Sequence, residues 1–166
     1  MCMISGRHIF YLHFYTVNTA KLSENVWKEA EKMLEQIQKY PQKEEYQKLV
    51  EADRINLYER EAEKGDDRKF LEETDRVFKE NLKGDPAWKL YERKLVYLES
   101  KQPDISREFE RFLKKYPKVM DAYVEYSIYL CRNNKMTQAQ RVYREGRKQT
   151  GMTSKRAEEL RRKLGL

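Results

Sequence analysis

Apolar positions recur with helical period along almost the whole chain. Val26, Ala30, Met33, Leu34 and Ile37 fall at i, i+4, i+7, i+8 and i+11, one stripe on a helix of 3.6 residues per turn. Pro41 ends that helix, because the residue before a proline, here Tyr40, is pushed out of helical geometry. A long second helix is predicted from about Lys43 to Lys64, stopping at Gly65. A third runs from about Asp67 to Leu82, with Phe70, Leu71, Thr74, Val77, Phe78, Asn81 and Leu82 on one side. Lys83-Gly84-Asp85-Pro86 then reads as a turn, with glycine for the C-terminal cap and proline in the first turn of the next helix.

That next helix carries Trp88, Tyr91, Leu95 and Leu98, and Gln102-Pro103-Asp104 separates it from one bearing Ile105, Phe109, Phe112, Leu113 and Tyr116. Pro117 closes the latter. Val119, Ala122, Tyr123, Tyr126 and Leu130 form a further stripe ending at Asn133-Asn134, and Met136, Ala139, Val142, Tyr143 and Gly146 another before Gly151. A last basic helix is predicted from about Thr153, with Leu160 and Leu164 as its main apolar residues. Helices joined by such short loops lie antiparallel to their neighbours. The expected fold class is all-α.

Residues 1–18 differ from this pattern. Ile9, Phe10, Tyr11, Leu12, Phe14, Tyr15 and Val17 form an aromatic and β-branched cluster with His8 and His13 interspersed. The histidines and the lack of a small-residue cleavage site argue against a signal peptide. A short strand, or an irregular segment laid on a helical groove, is expected, with Phe10, Leu12 and Phe14 packed on the first helices or on another protein. Residues 19–166 are then one helical domain.

Within that domain the helix pairs repeat. Thr74, Phe78, Asn81 and Pro86 align with Ile105, Phe109, Phe112 and Pro117, and with Ala139, Tyr143, Gly146 and Gly151, all at offsets of 4, 7 and 12. In the preceding helices Ile55 and Tyr58 align with Trp88 and Tyr91 and with Tyr123 and Tyr126, each a large side chain followed three residues later by tyrosine. Successive repeats begin 33 and 35 residues apart. A fixed offset inside helices, with slack confined to loops, is what stacked helical hairpins show. The small residue at Gly146 would let two backbones approach.

The repeat spanning Tyr123 to Gly151 resembles a tetratricopeptide repeat at Tyr123, Tyr126, Ser127, Leu130, Ala139, Tyr143, Gly146 and Gly151. The aromatic bias of all three repeats, with Trp88-x-x-Tyr91 and Phe109-Glu110-Arg111, is more similar to the HAT (half-a-TPR) variant. The resemblance covers about Ile55 to Gly151. It departs from the HAT pattern where Ala-Arg is usual, at Thr74-Asp75, Ile105-Ser106 and Ala139-Gln140, and at Asn81. It implies a right-handed superhelical array of antiparallel hairpins, an α-solenoid. It also implies a non-catalytic scaffold for protein–protein contacts in an RNA-processing or ribonucleoprotein-assembly complex, of the crooked-neck, suppressor-of-forked or ribosome-biogenesis type, in the nucleus or nucleolus. The alternative is a peptide-binding adaptor, checkpoint- or chaperone-associated, without RNA contact, in the cytoplasm. Three and a half repeats lie near the lower limit for a stable stack, as in a shortened relative of a longer array.

Composition and charge narrow the chemistry. The chain has 166 residues, enough for one domain of ~100–200 residues. No apolar run approaches the ~20 residues of a membrane helix, so no membrane partner is expected. Cys2 and Cys131 are too few for a disulfide scaffold, which fits a reducing compartment. Cys131, at the end of a core-facing helix, reads as a buried structural thiol. No phosphate-loop, His-Glu-x-x-His or Cys-x-x-Cys pattern occurs, so no enzyme, metal or cofactor is expected.

The net charge of +7 is uneven. From Arg132 onward eleven bases face three acids, giving +8, while the remainder carries −1. Such an end can attract RNA or an acidic protein, although a solvated helix favoured by its own dipole has the same composition. The candidate contact residues are Arg141, Arg144 and Lys148, at i, i+3 and i+7 on one helix, with Arg156, Arg162 and Lys163 on the next. The two sets are expected to flank one surface.

Overall fold

The computed structural model describes Leu12 and residues 24–39, 44–79 and 84–166. The fold is all-α: the described residues hold eight helices and no strand. These are α1 (Glu24–Gln38), α2 (Glu44–Glu63), α3 (Arg68–Lys79), α4 (Gly84–Glu99), α5 (Ser106–Lys115), α6 (Met120–Arg132), α7 (Met136–Thr150) and α8 (Lys155–Lys163). Phe10, Phe14, Tyr40, Pro41, Asn81 and Leu82, which carried expectations above, lie outside the described residues. No described helix is long and apolar enough to cross a membrane.

The chain divides into two compact units, Met1–Asp75 and Arg76–Leu166. In the first, Leu12, Ala30, Leu34, Ile37, Val50 and Leu57 form one buried cluster. Each fully buried leucine or isoleucine of this kind contributes roughly 1.5–3 kcal/mol. Leu12 is fully buried here, as its place in an apolar segment requires, but it is helical rather than extended. Arg54 Nε on α2 meets Glu73 Oε1 on α3 at 2.7 Å, and Lys69 meets Glu61 at 3.1 Å, which sets α2 and α3 antiparallel.

The second unit is built of antiparallel neighbours. Trp88 and Tyr91 near the start of α4 pack on Phe112 near the end of α5, with ring centroids 5.0 and 5.1 Å apart. Phe109 of α5 stacks on Tyr126 of α6 at 4.8 Å and 9° between planes. The Tyr91 hydroxyl (2.5 Å) and Lys94 Nζ (3.0 Å) both donate to Glu108 Oε2 across α4 and α5. Burial raises the Glu108 carboxyl, but the hydrogen bonds from Tyr91 and Lys94 outweigh it and hold the group below its ordinary value.

The loops follow local chemistry. Asp104 Oδ1 accepts the Ser106 N–H at 2.8 Å and so satisfies a first-turn donor of α5. Asn134, at φ 57°, turns the chain from α6 into α7 in a conformation that asparagine tolerates. Gly151, at φ 78°, caps α7 and donates its N–H to the Arg147 carbonyl at 2.9 Å. The last helix begins at Lys155 rather than Thr153, because the Ser154 hydroxyl caps it by accepting the Ala157 N–H. The helix expected from Pro86 begins at Gly84; a proline in the first turn lacks only an N–H that has no helical partner there.

The Tyr143 hydroxyl is buried and donates to the Ala157 carbonyl at 3.0 Å, tying α7 to α8. Tyr143→Phe keeps the ring and leaves that carbonyl without its donor. A loss of about 1 kcal/mol is expected, read as a lower urea midpoint at unchanged slope. An unchanged midpoint would mean that the bond contributes nothing.

Candidate nucleic-acid interface

The position of α7 is set by its buried side. Ala139, Tyr143 and Gly146 face inward, and Gly146 lies against Tyr123 of α6 with no space for a side chain between them. The opposite side of α7 therefore points to solvent. Arg141, Arg144 and Lys148 are all exposed on it, over about 10 Å of axis. None of the three forms an ion pair with a described residue. Glu145, the acid among them, accepts a hydrogen bond from the Gln149 amide at 2.6 Å.

The second set is placed differently: Arg156 and Lys163 line a different cavity from Arg141. Arg156 is ion-paired with Glu125 of α6. Glu92 and Asp121 are close by: burial pushes the Glu92 carboxyl up, and Glu125 adds to the rise while Arg156 opposes it. Arg156 is thus already compensated by carboxylates. Arg162 and Lys163 are exposed on α8.

Lys163 and Arg156 line an apolar cleft of about 420 Å³ with Ile128, Cys131, Met136 and Leu160. Cys131 is half-buried there rather than sealed in the core. Burial pushes its thiol up and Lys163 opposes the shift. Arg141 instead lines a groove of about 620 Å³ on the other side of α6, which presents Tyr123, Tyr126 and Leu130 to it. At 100° per residue these three lie opposite Ile128, Cys131 and Arg132. Helical spacing establishes each set; Arg156 and Lys163 line a cavity on the opposite side of α6 from Arg141.

The groove between α5, α6 and α7 holds polar groups that periodicity did not single out. Tyr126 donates to Glu110 Oε1 at 3.1 Å. Burial pushes the Tyr126 phenol up to about 12, and the neighbouring Glu110 carboxylate adds to the rise. Lys135 Nζ donates to Asp104 Oδ2 at 2.7 Å, and the Tyr129 hydroxyl to Asp104 Oδ1 at 3.3 Å. The hydrogen bond from Lys135 holds the Asp104 carboxyl well below the usual carboxylate range. The resulting stability is present above that range and fades as pH falls, and it is small because both side chains are exposed. Asp104 and Lys135 meet only through the fold, so nothing in the local sequence marks the pair.

Among the described residues no group of three or more histidine, cysteine or acidic side chains is placed to hold a metal ion. Comparison with protein-family models, with curated proteins and with solved structures gives no match.

Proposed function

We propose that the protein is a non-catalytic helical-repeat scaffold, its hairpins stacked in a right-handed HAT/TPR-like superhelix, that joins protein partners in an RNA-processing or ribonucleoprotein-assembly complex and touches RNA through α7. The observation that carries the RNA contact is the outer face of α7, where Arg141, Arg144 and Lys148 are exposed and free of ion pairs with described residues. Uncompensated cations at helical spacing can follow a phosphate backbone, and each phosphate they neutralise releases counterions. The antiparallel packing of α4 to α8 and the recurrence of aromatic residues at equal offsets support the scaffold reading.

The test is binding of a 20-nucleotide unstructured RNA, followed by fluorescence anisotropy at increasing salt. Arg141→Glu, Arg144→Glu and Lys148→Glu together are expected to abolish most binding, while the helical circular dichroism and melting temperature stay near wild type. Neutral glutamines at the same three positions should flatten the log–log salt slope by about two, at ~0.7 per single-strand phosphate contact. Binding that survives the triple reversal would make this face merely solvated. A second reading, a peptide adaptor without RNA contact, draws on the apolar α6–α8 cleft, at whose edge Met136 is 46% exposed.

A further inference from the structure

We propose that the groove between α5, α6 and α7 receives one unstacked RNA base bearing an exocyclic amino group, with Glu110 as the acceptor that reads it. This rests on the RNA contact proposed for α7. Arg141 belongs to both features: it is one of the exposed cations of α7 and it lines the groove. A strand whose phosphates track α7 therefore passes the groove's mouth. Single-stranded RNA is read in this way, by splaying a base out and hydrogen-bonding its edge.

The interior suits a base. Its volume of about 620 Å³ lies within the ~300–1,000 Å³ of small-ligand clefts. Leu113 and Val142, both half-buried, supply aliphatic walls for the faces of the ring. Three carboxylates line the groove: Asp104 has both oxygens engaged, whereas Glu145 and Glu110 each use one. Asp104 is held by Lys135 and by the Ser106 amide, and Glu145 accepts from Gln149. Glu110 uses only Oε1, toward Tyr126, so Oε2 remains an open acceptor among the described residues. The Ser106 hydroxyl is buried in the same groove beside the Tyr126 hydroxyl and the Asp104 carboxylate, favouring the ionised form of each, without a hydrogen bond of ordinary geometry to either.

A carboxylate can only accept, whereas a serine hydroxyl can donate as well. Cytosine answers both, with two protons on its amino nitrogen and an acceptor ring nitrogen beside it. Uracil sets a carbonyl oxygen on each side of its single donor, and both repel a carboxylate. The groove therefore favours an amino-bearing base over uracil.

The probes are octamers of cytidine and of uridine, measured by fluorescence anisotropy over a salt series with the whole chain. The cytidine octamer should bind about tenfold more tightly, the worth of one charge-assisted hydrogen bond. Glu110→Gln should bring that ratio to one or below, since an amide donates to the uracil carbonyl, and should leave the salt slope unchanged. Val142→Trp, which fills the groove, should bring the cytidine octamer to the affinity of the uridine one.

Equal affinities in the wild type, or a ratio untouched by Glu110→Gln, would overturn the proposal. If equal binding is still lost on the triple α7 reversal, the RNA contact stands and the base site alone fails. If neither octamer binds, the RNA contact itself has failed and the base site with it. Random displayed peptides that lose binding on Val142→Trp, with the octamer ratio at one, would make the groove a peptide site and overturn the base reading.

Discussion

Phe112→Ala is expected to cost about 3–5 kcal/mol, the range for removing a fully buried aromatic ring. Phe112 is 0% exposed and touches four other rings. Trp88, Tyr91 and Tyr116 lie 5.0, 5.1 and 5.0 Å away between centroids, and Phe78 lies at 6.0 Å. These come from α3, α4 and the C-cap of α5, and Phe112 itself from α5, so one truncation opens a void where three helices meet. The neighbours cannot collapse into it, because Tyr91 is also held through its hydroxyl by Glu108. A total stability of ~5–15 kcal/mol leaves little margin for such a loss. The far-ultraviolet melt should shift down by on the order of 10 °C. Phe112→Leu keeps most of the volume and should lose less, about 1.5 kcal/mol, as expected of a nearly volume-conserving apolar swap. A melt of Phe112→Ala within two or three degrees of wild type would mean that these rings do not form one core.

What the sequence made readable and what it hid divide along a physical line. Periodicity reports which side of a helix is buried, and the stripes through Ala30, Leu34 and Ile37 and through Tyr123, Tyr126 and Leu130 are indeed inside. Turn chemistry is equally local, and Asn133-Asn134 and Gly151 end their helices as the residues require. Met136 marks the limit of the method. It shares the face of Ala139 and Tyr143, yet it is 46% exposed, because it precedes their turn and α6 has already ended at Arg132. Burial needs an opposing element as well as the right phase. Leu12 shows the other limit: an aromatic, β-branched neighbourhood is a weak guide to local conformation when packing decides, and the residue is helical.

The candidate interface was readable only in part for the same reason. Spacing on a single helix brings Arg141, Arg144 and Lys148 to one exposed face. How α8 crosses α6 is a tertiary fact, and it delivers Arg156 to Glu125, 31 residues earlier in the chain. The Asp104–Lys135 pair, also 31 residues apart, and the groove containing Glu110 arise in this way too.

Gly146 is where packing and the interface meet, and its substitution should have the other large effect. A Cβ at this position would lie 2.6 Å from both Cβ and Cγ of Tyr123 and would also meet the terminal methyl of Met152. The methionine end is flexible and can move. The root of the tyrosine ring cannot, because it is fixed to the backbone of α6. Helix propensity alone favours Gly146→Ala by about 1 kcal/mol. Overpacking opposes it with roughly 1–3 kcal/mol, so the alanine variant should melt below wild type, and Gly146→Val, with two further methyl groups, well below that. Tyr123→Ala should absorb part of the clash, so the Gly146→Ala/Tyr123→Ala pair should lose less than the sum of the single losses by 0.5 kcal/mol or more, the order expected for residues in contact. Additive losses, or a Gly146→Ala variant more stable than wild type, would show that propensity governs the site and that α6 and α7 do not approach this closely. The variants also test the function, since prying α7 from α6 moves Arg141 away from Tyr126 and Glu110 while leaving the spacing of Arg141, Arg144 and Lys148 along α7 intact. Gly146→Ala, if folded, should therefore keep the salt dependence of RNA binding and lose the preference for cytidine over uridine.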